Sequence, residues 1–248
     1  MNLIDAILQH ANVLQSTPAI KQKLAKLMKQ QDVILVALCG ESASGKTTLL
    51  NALKDKVPQM SVISADNYFC DISDRISEVG SFTKLVESGY ETESSQNFQM
   101  DLLSSDLKAL RSGRTIDTPY YEMRDGSSKA KAIHCRPSKI VFVESICTLY
   151  PEVRDLFDLK IYLSIDKAVQ WKRYQERAIT RNQDPLQMKK QFEIVSKAAS
   201  KYIIPNKEFA DLVIEGKVCE AEQKAAVRFV ACHKDYPINI NQQHEREE

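Results

Sequence analysis

The sequence has no excess of either charge. Its 34 Lys and Arg balance 33 Asp and Glu, giving a formal net charge of +1 and a pI near 7.6. Nothing is left over to hold a polyanion, so no nucleic-acid partner is expected. No apolar run approaches the length of a bilayer crossing and no signal-peptide pattern opens the chain, so no membrane partner is expected either. The six cysteines, Cys39, Cys70, Cys135, Cys147, Cys219 and Cys232, include no C-x-x-C pair and no zinc-like spacing. They read as small buried or half-buried residues in a reducing, cytoplasmic compartment. Internal repeats and low-complexity segments are also missing. What remains, in 248 residues, is 43% hydrophobic and 27% charged. That is the composition of a globular protein with one domain of ordinary size and room for a short appendage.

The pattern along the chain divides it into an N-terminal helical extension at 1–32, a main domain at 33–232 and a polar tail at 233–248. In the extension Ile4, Ile7, Leu8, Ala11 and Leu14 share a helical face, and Thr17-Pro18 can start a second helix along Ile20, Leu24, Leu27 and Met28. At Val33 the period changes. The run Val33 to Leu38 is continuously apolar, as in a strand buried on both faces. Similar runs recur at Ser61–Ala65, Ile140–Val143, Leu159–Ser164 and Leu212–Glu215. Helical stretches fall at Lys46 to Lys56, Phe98 to Ser112, Lys167 to Thr180, Pro185 to Tyr202 and Glu220 to Cys232. Strands alternating with helices predict an α/β fold with a parallel sheet covered on both faces. Two stretches fit the alternation less well: Asp66 to Tyr90, and Arg114 to Arg136 with its turn-rich Asp125-Gly126-Ser127-Ser128. Both follow strands and can stand over the sheet's carboxyl edge, where such folds bind ligands.

Gly40-Glu41-Ser42-Ala43-Ser44-Gly45-Lys46-Thr47 fits G-x-x-x-x-G-K-[ST] once in the chain, and Thr48 follows. Glycines at both ends let the backbone turn around an anion, and the helix that follows points its positive end at it. The Lys46 ammonium can follow β- and γ-phosphate oxygens, and the Thr47 hydroxyl is of the type that ligates magnesium. The context this chemistry needs, a buried strand before and a helix after, is present. ATP and Mg2+ are therefore the expected cofactors, held by Gly40 through Thr48.

Acids decide what such a loop serves. Asp66 ends the strand Ser61–Ala65. There it can accept a proton from a hydroxyl, hold magnesium through water, or cap the turn Asp66-Asn67-Tyr68; position alone does not choose. Glu144 ends Lys139-Ile140-Val141-Phe142-Val143, a Walker B arrangement that puts a carboxylate where Thr47 reaches. Arg173, Arg177 and Arg181 lie four apart on one helical face, which is either a solvated basic face or one that neutralises a transferring phosphoryl.

These residues, in their order, resemble the uridine kinase and phosphoribulokinase family across about residues 33–216. Ser64-Ala65-Asp66-Asn67-Tyr68-Phe69, Asn97-Phe98 through Leu110, Pro119-Tyr120-Tyr121-Glu122, Ile140 to Ser145, Arg154 to Tyr162, Pro205-Asn206-Lys207 and Ala210 to Ile214 carry the likeness. The resemblance implies a three-layer P-loop kinase with a helical lid, transferring the γ-phosphoryl of Mg-ATP to a hydroxyl of a small-molecule acceptor. It implies Asp66 as general base, Thr47 and Glu144 near magnesium, Tyr68 and Tyr121 near the acceptor, Arg173 and Arg181 on the lid, and a homo-oligomer. Departures cluster on the acceptor side. Glu176-Arg177, Asn182-Gln183, Met123-Arg124-Asp125-Gly126 and Ser94-Ser95-Gln96-Asn97 replace residues with which uridine kinases meet their nucleoside, and Ser145 replaces the glycine after the family's Glu. A uridine kinase-like activity is expected. The alternatives are a kinase for a pantothenate-like alcohol or sugar phosphate, and a nucleotide-binding regulator whose kinase site has decayed.

Overall fold

The computed structural model describes residues 12–13, 17–30, 33–57, 59–180 and 184–215. Its centre is a sheet of parallel strands: β2 (Ile34–Cys39), β3 (Met60–Ser64), β6 (Ile140–Glu144), β7 (Leu159–Ser164) and β8 (Leu212–Glu215). A short strand β1 (Asn12–Val13) adds antiparallel to β8, and the order across the sheet is β1-β8-β7-β2-β6-β3. The extension is thus not helical throughout. Its described parts are this strand and a helix α1 (Thr17–Gln30), and the Ile4 to Ala11 face lies outside the described residues.

The continuous apolar run of β2 follows from its central place. Ile34, Val36 and Leu38 pack with Leu49, Leu50 and Leu53 of α2 (Lys46–Lys54) on one face of the sheet. Leu35, Ala37 and Cys39 pack on the other with Leu103, Leu107 and Leu110 of α5 (Met100–Arg111). Side chains that alternate across the pleat therefore feed two separate cores, one per helix layer. The lid is formed by α6 (Lys167–Thr180) and α7 (Pro185–Tyr202), whose Trp171 and Tyr174 rings meet Phe192 at 4.9 and 5.1 Å between centroids. Asp184 caps α7 by accepting from the Gln187 amide at 2.8 Å, with Pro185 at the first helical position.

The two stretches that broke the alternation form one wall at the carboxyl edge. Residues Ala65–Tyr68 make a 3-10 turn, followed by α3 (Ser73–Val79) and α4 (Phe82–Glu87). The second stretch is a hairpin, β4 (Ile116–Glu122) with β5 (Ser127–Cys135). Its tip sits on α3: the Ile72 amide donates to the Gly126 carbonyl at 2.9 Å and the Ser128 amide to Asp71 Oδ2 at 2.8 Å. Gly126 has φ 75°, and a Cβ there would stand 2.7 Å from Ile72 Cγ1. Only glycine lets the tip approach so closely.

Acids serve the opposite, amino edge. Asp158 accepts from the Leu35 amide and pairs with Arg111 of α5, each at 2.9 Å. Asp211 accepts from the Lys160 amide at 2.8 Å and pairs with Lys23 of α1 at 2.9 Å. Cys39 and Cys147 are buried, Cys70 and Cys135 are half-buried, and all of them are free; the remaining two cysteines lie outside the described residues. No helix among the described residues is long and apolar enough to cross a membrane.

Candidate active site

The phosphate loop leaves β2 at Gly40, whose φ is 154°; a Cβ there would lie 2.5 Å from the Leu163 carbonyl oxygen of β7. The close approach of two backbones explains the glycine. Ala43 takes φ 63°, a left-handed conformation that residues with a side chain rarely adopt outside constrained loops. The first intrahelical bond of α2 runs from the Leu49 amide to the Gly45 carbonyl at 2.9 Å. The amides of Gly45, Lys46, Thr47 and Thr48 are therefore those that the helix itself leaves without an acceptor. The Ser44 hydroxyl is buried with no hydrogen-bond partner, and Lys46 Nζ rests on the Gly40 carbonyl at 2.9 Å and the Glu41 carbonyl at 3.4 Å. Orphan donors, an orphan hydroxyl and a cation parked on its own loop are what a polyphosphate would satisfy.

The lid helix grips this loop. Gln170 Nε2 donates to the Ser42 carbonyl at 2.8 Å, and the Tyr174 hydroxyl donates to Ser42 Oγ at 3.0 Å. Arg173 Nη1 donates to the carbonyls of Ala43 and Ser44, both at 3.0 Å. Lys167 Nζ stands 2.5 Å from Oε2 of the buried Glu41. In this structure Arg173 thus holds the backbone of the phosphate loop. Arg181 lies outside the described residues.

Across from Lys46 stand carboxyl groups from separate segments. Ser64 and Glu144 face each other in the register of β3 and β6, and Ser64 Oγ donates to Glu144 Oε1 at 3.0 Å. Asp66 follows in the 3-10 turn, and Ser145 Oγ donates to its Oδ1 at 2.5 Å. Burial first, then the Asp66 charge, push the Glu144 carboxyl upward, against the Lys46 ammonium and the Ser64 hydrogen bond. Glu93 is the third, and no motif pointed to it. It is buried, its Oε2 has no partner, and burial and the Asp66 charge push it up to about 8 while Lys46 pulls the other way. An acid in the polar stretch Glu91-Thr92-Glu93-Ser94 carries no burial signal in sequence; only the folded loop reveals that it is enclosed.

Tyr68 and Tyr121 part ways. The Tyr68 side chain is fully buried and its hydroxyl donates to Asp106 Oδ2 at 2.7 Å, so the ring packs with the α5 core and the hydroxyl is spent within the protein. The neighbouring Phe69 and Tyr121 rings meet at 5.2 Å, and the Tyr121 hydroxyl is raised by burial and then by Tyr90, Asp71 and other groups. Tyr121 and Tyr90 thus share the wall with the hairpin tip. The Arg75 guanidinium lies 5.4 Å from the Tyr90 ring centroid.

Thr47 is exposed at the start of α2. Among the described residues no group of three His, Cys, Asp or Glu side chains could hold a metal unaided. Magnesium on a nucleotide keeps phosphate and water ligands and needs one or two protein groups. Thr47 at the start of α2, and Glu144 and Asp66 across from Lys46, are oxygen-bearing side chains that could hold such an ion.

The model of the "Phosphoribulokinase / Uridine kinase family" matches residues 35–223, from the start of β2 past the end of β8. The chain belongs to this family. It is 30% identical to the uridine kinase of Halobacterium salinarum over 183 residues, covering 72% of this chain and 78% of that protein. It is 29% identical to the uridine kinase of Borrelia turicatae over 185 residues, 73% of this chain and 86% of that protein. Among solved structures, D-glycerate 3-kinase from Cryptococcus neoformans shares the fold with a TM-score of 0.56 at 14% identity, covering 81% of this chain and 94% of that one. Membership in the phosphoribulokinase / uridine kinase family supports phosphoryl transfer to a hydroxyl of a small molecule. P-loop kinases of this kind use ATP and Mg2+ generally.

Proposed function

We propose that this member of the family transfers the γ-phosphoryl of Mg-ATP to a hydroxyl of an uncharged, polyhydroxylated acceptor, with uridine the first candidate. The observation that carries this reading is Glu93, a buried carboxyl with an unpartnered oxygen in the electrostatic neighbourhood of both Asp66 and Lys46. A buried polar group left unsatisfied calls for a partner, and the hydroxyls of a diol are donors of the right kind. An acceptor that brings its own carboxylate or phosphate would meet the Asp66 carboxylate and be repelled. D-glycerate, named for the fold relative above, carries such a charge; uridine does not.

In this mechanism the bound Mg-ATP supplies the electrophilic γ-phosphoryl. The backbone from Gly40 to Thr48 and the Lys46 ammonium hold its phosphates. Thr47 and Glu144 hold the cation. Asp66 accepts the proton of the attacking hydroxyl, Glu93 orients a second hydroxyl, and Tyr121 with Tyr90 walls the ring. Arg173 on the lid adds positive charge beside the phosphates, and the family resemblance implies the same role for Arg181. Most of the acceleration comes from positioning and fixed charge.

The test is ADP release by purified protein with Mg-ATP and, in turn, uridine, cytidine, D-fructose, glycerol, D-glycerate and pantothenate. Release stimulated by the neutral members supports the reading. Stimulation by D-glycerate or pantothenate alone overturns the neutral-acceptor assignment, and nucleotide binding without acceptor-dependent release overturns the kinase.

A further inference from the structure

We infer that Ser145 is a positioning residue for Asp66, a role that rests on the proposed function of Asp66 as proton acceptor. Strands β3 and β6 run parallel with Ser64 opposite Glu144. Each strand therefore ends in a serine and an acid in opposite order: Ser64 precedes Asp66 by two positions, and Ser145 follows Glu144 by one. The serines cross over. Ser64 Oγ donates to Glu144 Oε1 at 3.0 Å, and Ser145 Oγ donates to Asp66 Oδ1 at 2.5 Å.

The second of these bonds has the more enclosed donor. Ser145 is wholly buried, so no bulk water competes for its hydroxyl. The Cys147 amide donates to the same Oγ at 3.3 Å, which occupies a lone pair and leaves the hydroxyl hydrogen for the carboxylate. The Ser145 amide is itself fixed by donating to the Leu38 carbonyl of β2 at 3.2 Å, at the strand that launches the phosphate loop.

The consequence is a division of labour between the two oxygens of Asp66. Oδ1 is held by Ser145, so Oδ2 is the oxygen assigned to an acceptor hydroxyl. Without the hydroxyl the carboxylate can rotate toward Lys46 or Thr47, and the fraction of time it is aimed at a substrate hydroxyl falls.

Four proteins test it: wild type, S145A, D66A and the double variant D66A/S145A, assayed with Mg-ATP and whichever of uridine, cytidine, D-fructose or glycerol gives the highest wild-type turnover. S145A is expected to lower kcat on the order of tenfold with KM for ATP and acceptor changed less than twofold, because aim is lost while binding is kept. In the D66A background the same substitution is expected to cost nothing further; a merely structural serine would lower both backgrounds alike. Wild-type kcat in S145A beside a disabled D66A overturns this inference alone. Wild-type kcat in D66A, or no acceptor turnover by the wild type, overturns the reading of Asp66 and this inference with it. Should S145A melt early, S145G removes the same hydroxyl, and a wild-type crystal structure with Ser145 Oγ away from Asp66 overturns the inference without any kinetics.

Discussion

Lys167 of the lid helix stands 2.5 Å from Glu41, the second residue of the phosphate loop, and Glu41 is buried while the lysine is half exposed. The pair joins the lid to the loop. K167M leaves a buried carboxylate without its cation, and half-exposure of the lysine limits the cost to about 1 kcal/mol. A Tm lower by about 2–4 °C is expected, together with weaker Mg-ATP binding in calorimetry. An unchanged melt and unchanged affinity would mean the pair is idle.

Lys46 is the one cation of the phosphate loop itself, and its ammonium rests on loop carbonyls at 2.9 and 3.4 Å. A charge-assisted contact from that ammonium to a phosphate oxygen contributes about 1.5–3 kcal/mol. K46A should therefore weaken Mg-ATP binding by roughly tenfold to a hundredfold, read by titration calorimetry, with the melting temperature of the nucleotide-free protein little changed.

Glu93 gives the nucleotide-free protein a pH dependence. Its carboxyl rises from an ordinary 4.5 to about 8 in the folded chain, by burial first and the Asp66 charge second. An acid that binds its proton more tightly when folded stabilises fully below its unfolded value, and that stability is lost as pH rises through the folded one. Stability should therefore fall between about pH 4.5 and 8. E93Q should flatten that fall, melting several degrees above wild type at alkaline pH, and raise KM for the acceptor. Parallel melting curves across the range would show that Glu93 is not enclosed.

Gly126 joins the hairpin to α3. G126A places a methyl group 2.7 Å from Ile72 Cγ1 on a left-handed backbone, so the tip must back away. The expected outcome is a higher KM for the acceptor, a KM for ATP within twofold of wild type, and a stability loss of about 1–2 kcal/mol in denaturant titration.

Tyr68 separates motif from role. Y68F removes the donor to Asp106 from a fully buried ring. It should cost about 1–2 kcal/mol of stability and leave kcat and both KM values unchanged. A selective rise in acceptor KM would return Tyr68 to the site.

How much of this was legible in the sequence depends on whether the signal is local. The strands Leu159–Ser164 and Leu212–Glu215 and the helix Pro185–Tyr202 carry their own boundaries in apolar runs and in Asp184-Pro185, and the structure has them at those residues. The phosphate loop is equally local, since glycine, lysine and threonine spacing is the chemistry. The hairpin was legible in part, as short extended pieces about the turn Asp125-Gly126-Ser127-Ser128; that they pair with each other and rest against Asp71 and Ile72 was not. Neither was Glu93, whose importance comes from what encloses it, nor the direction of Tyr68, which turns on Asp106 thirty-eight positions away. Ser145 was visible only as a substitution; that it touches Asp66 required β3 and β6 to be laid side by side.

The sheet sorts its acids by end. At one rim Asp158 and Asp211 spend their charge on main-chain amides and on Arg111 and Lys23, as rivets would. At the other rim Glu93 and Glu144 are held uncomfortably, short of donors and crowded by Asp66. Damage to the riveted rim should therefore show itself in how long the protein survives heat, and damage to the crowded rim in what it can still convert.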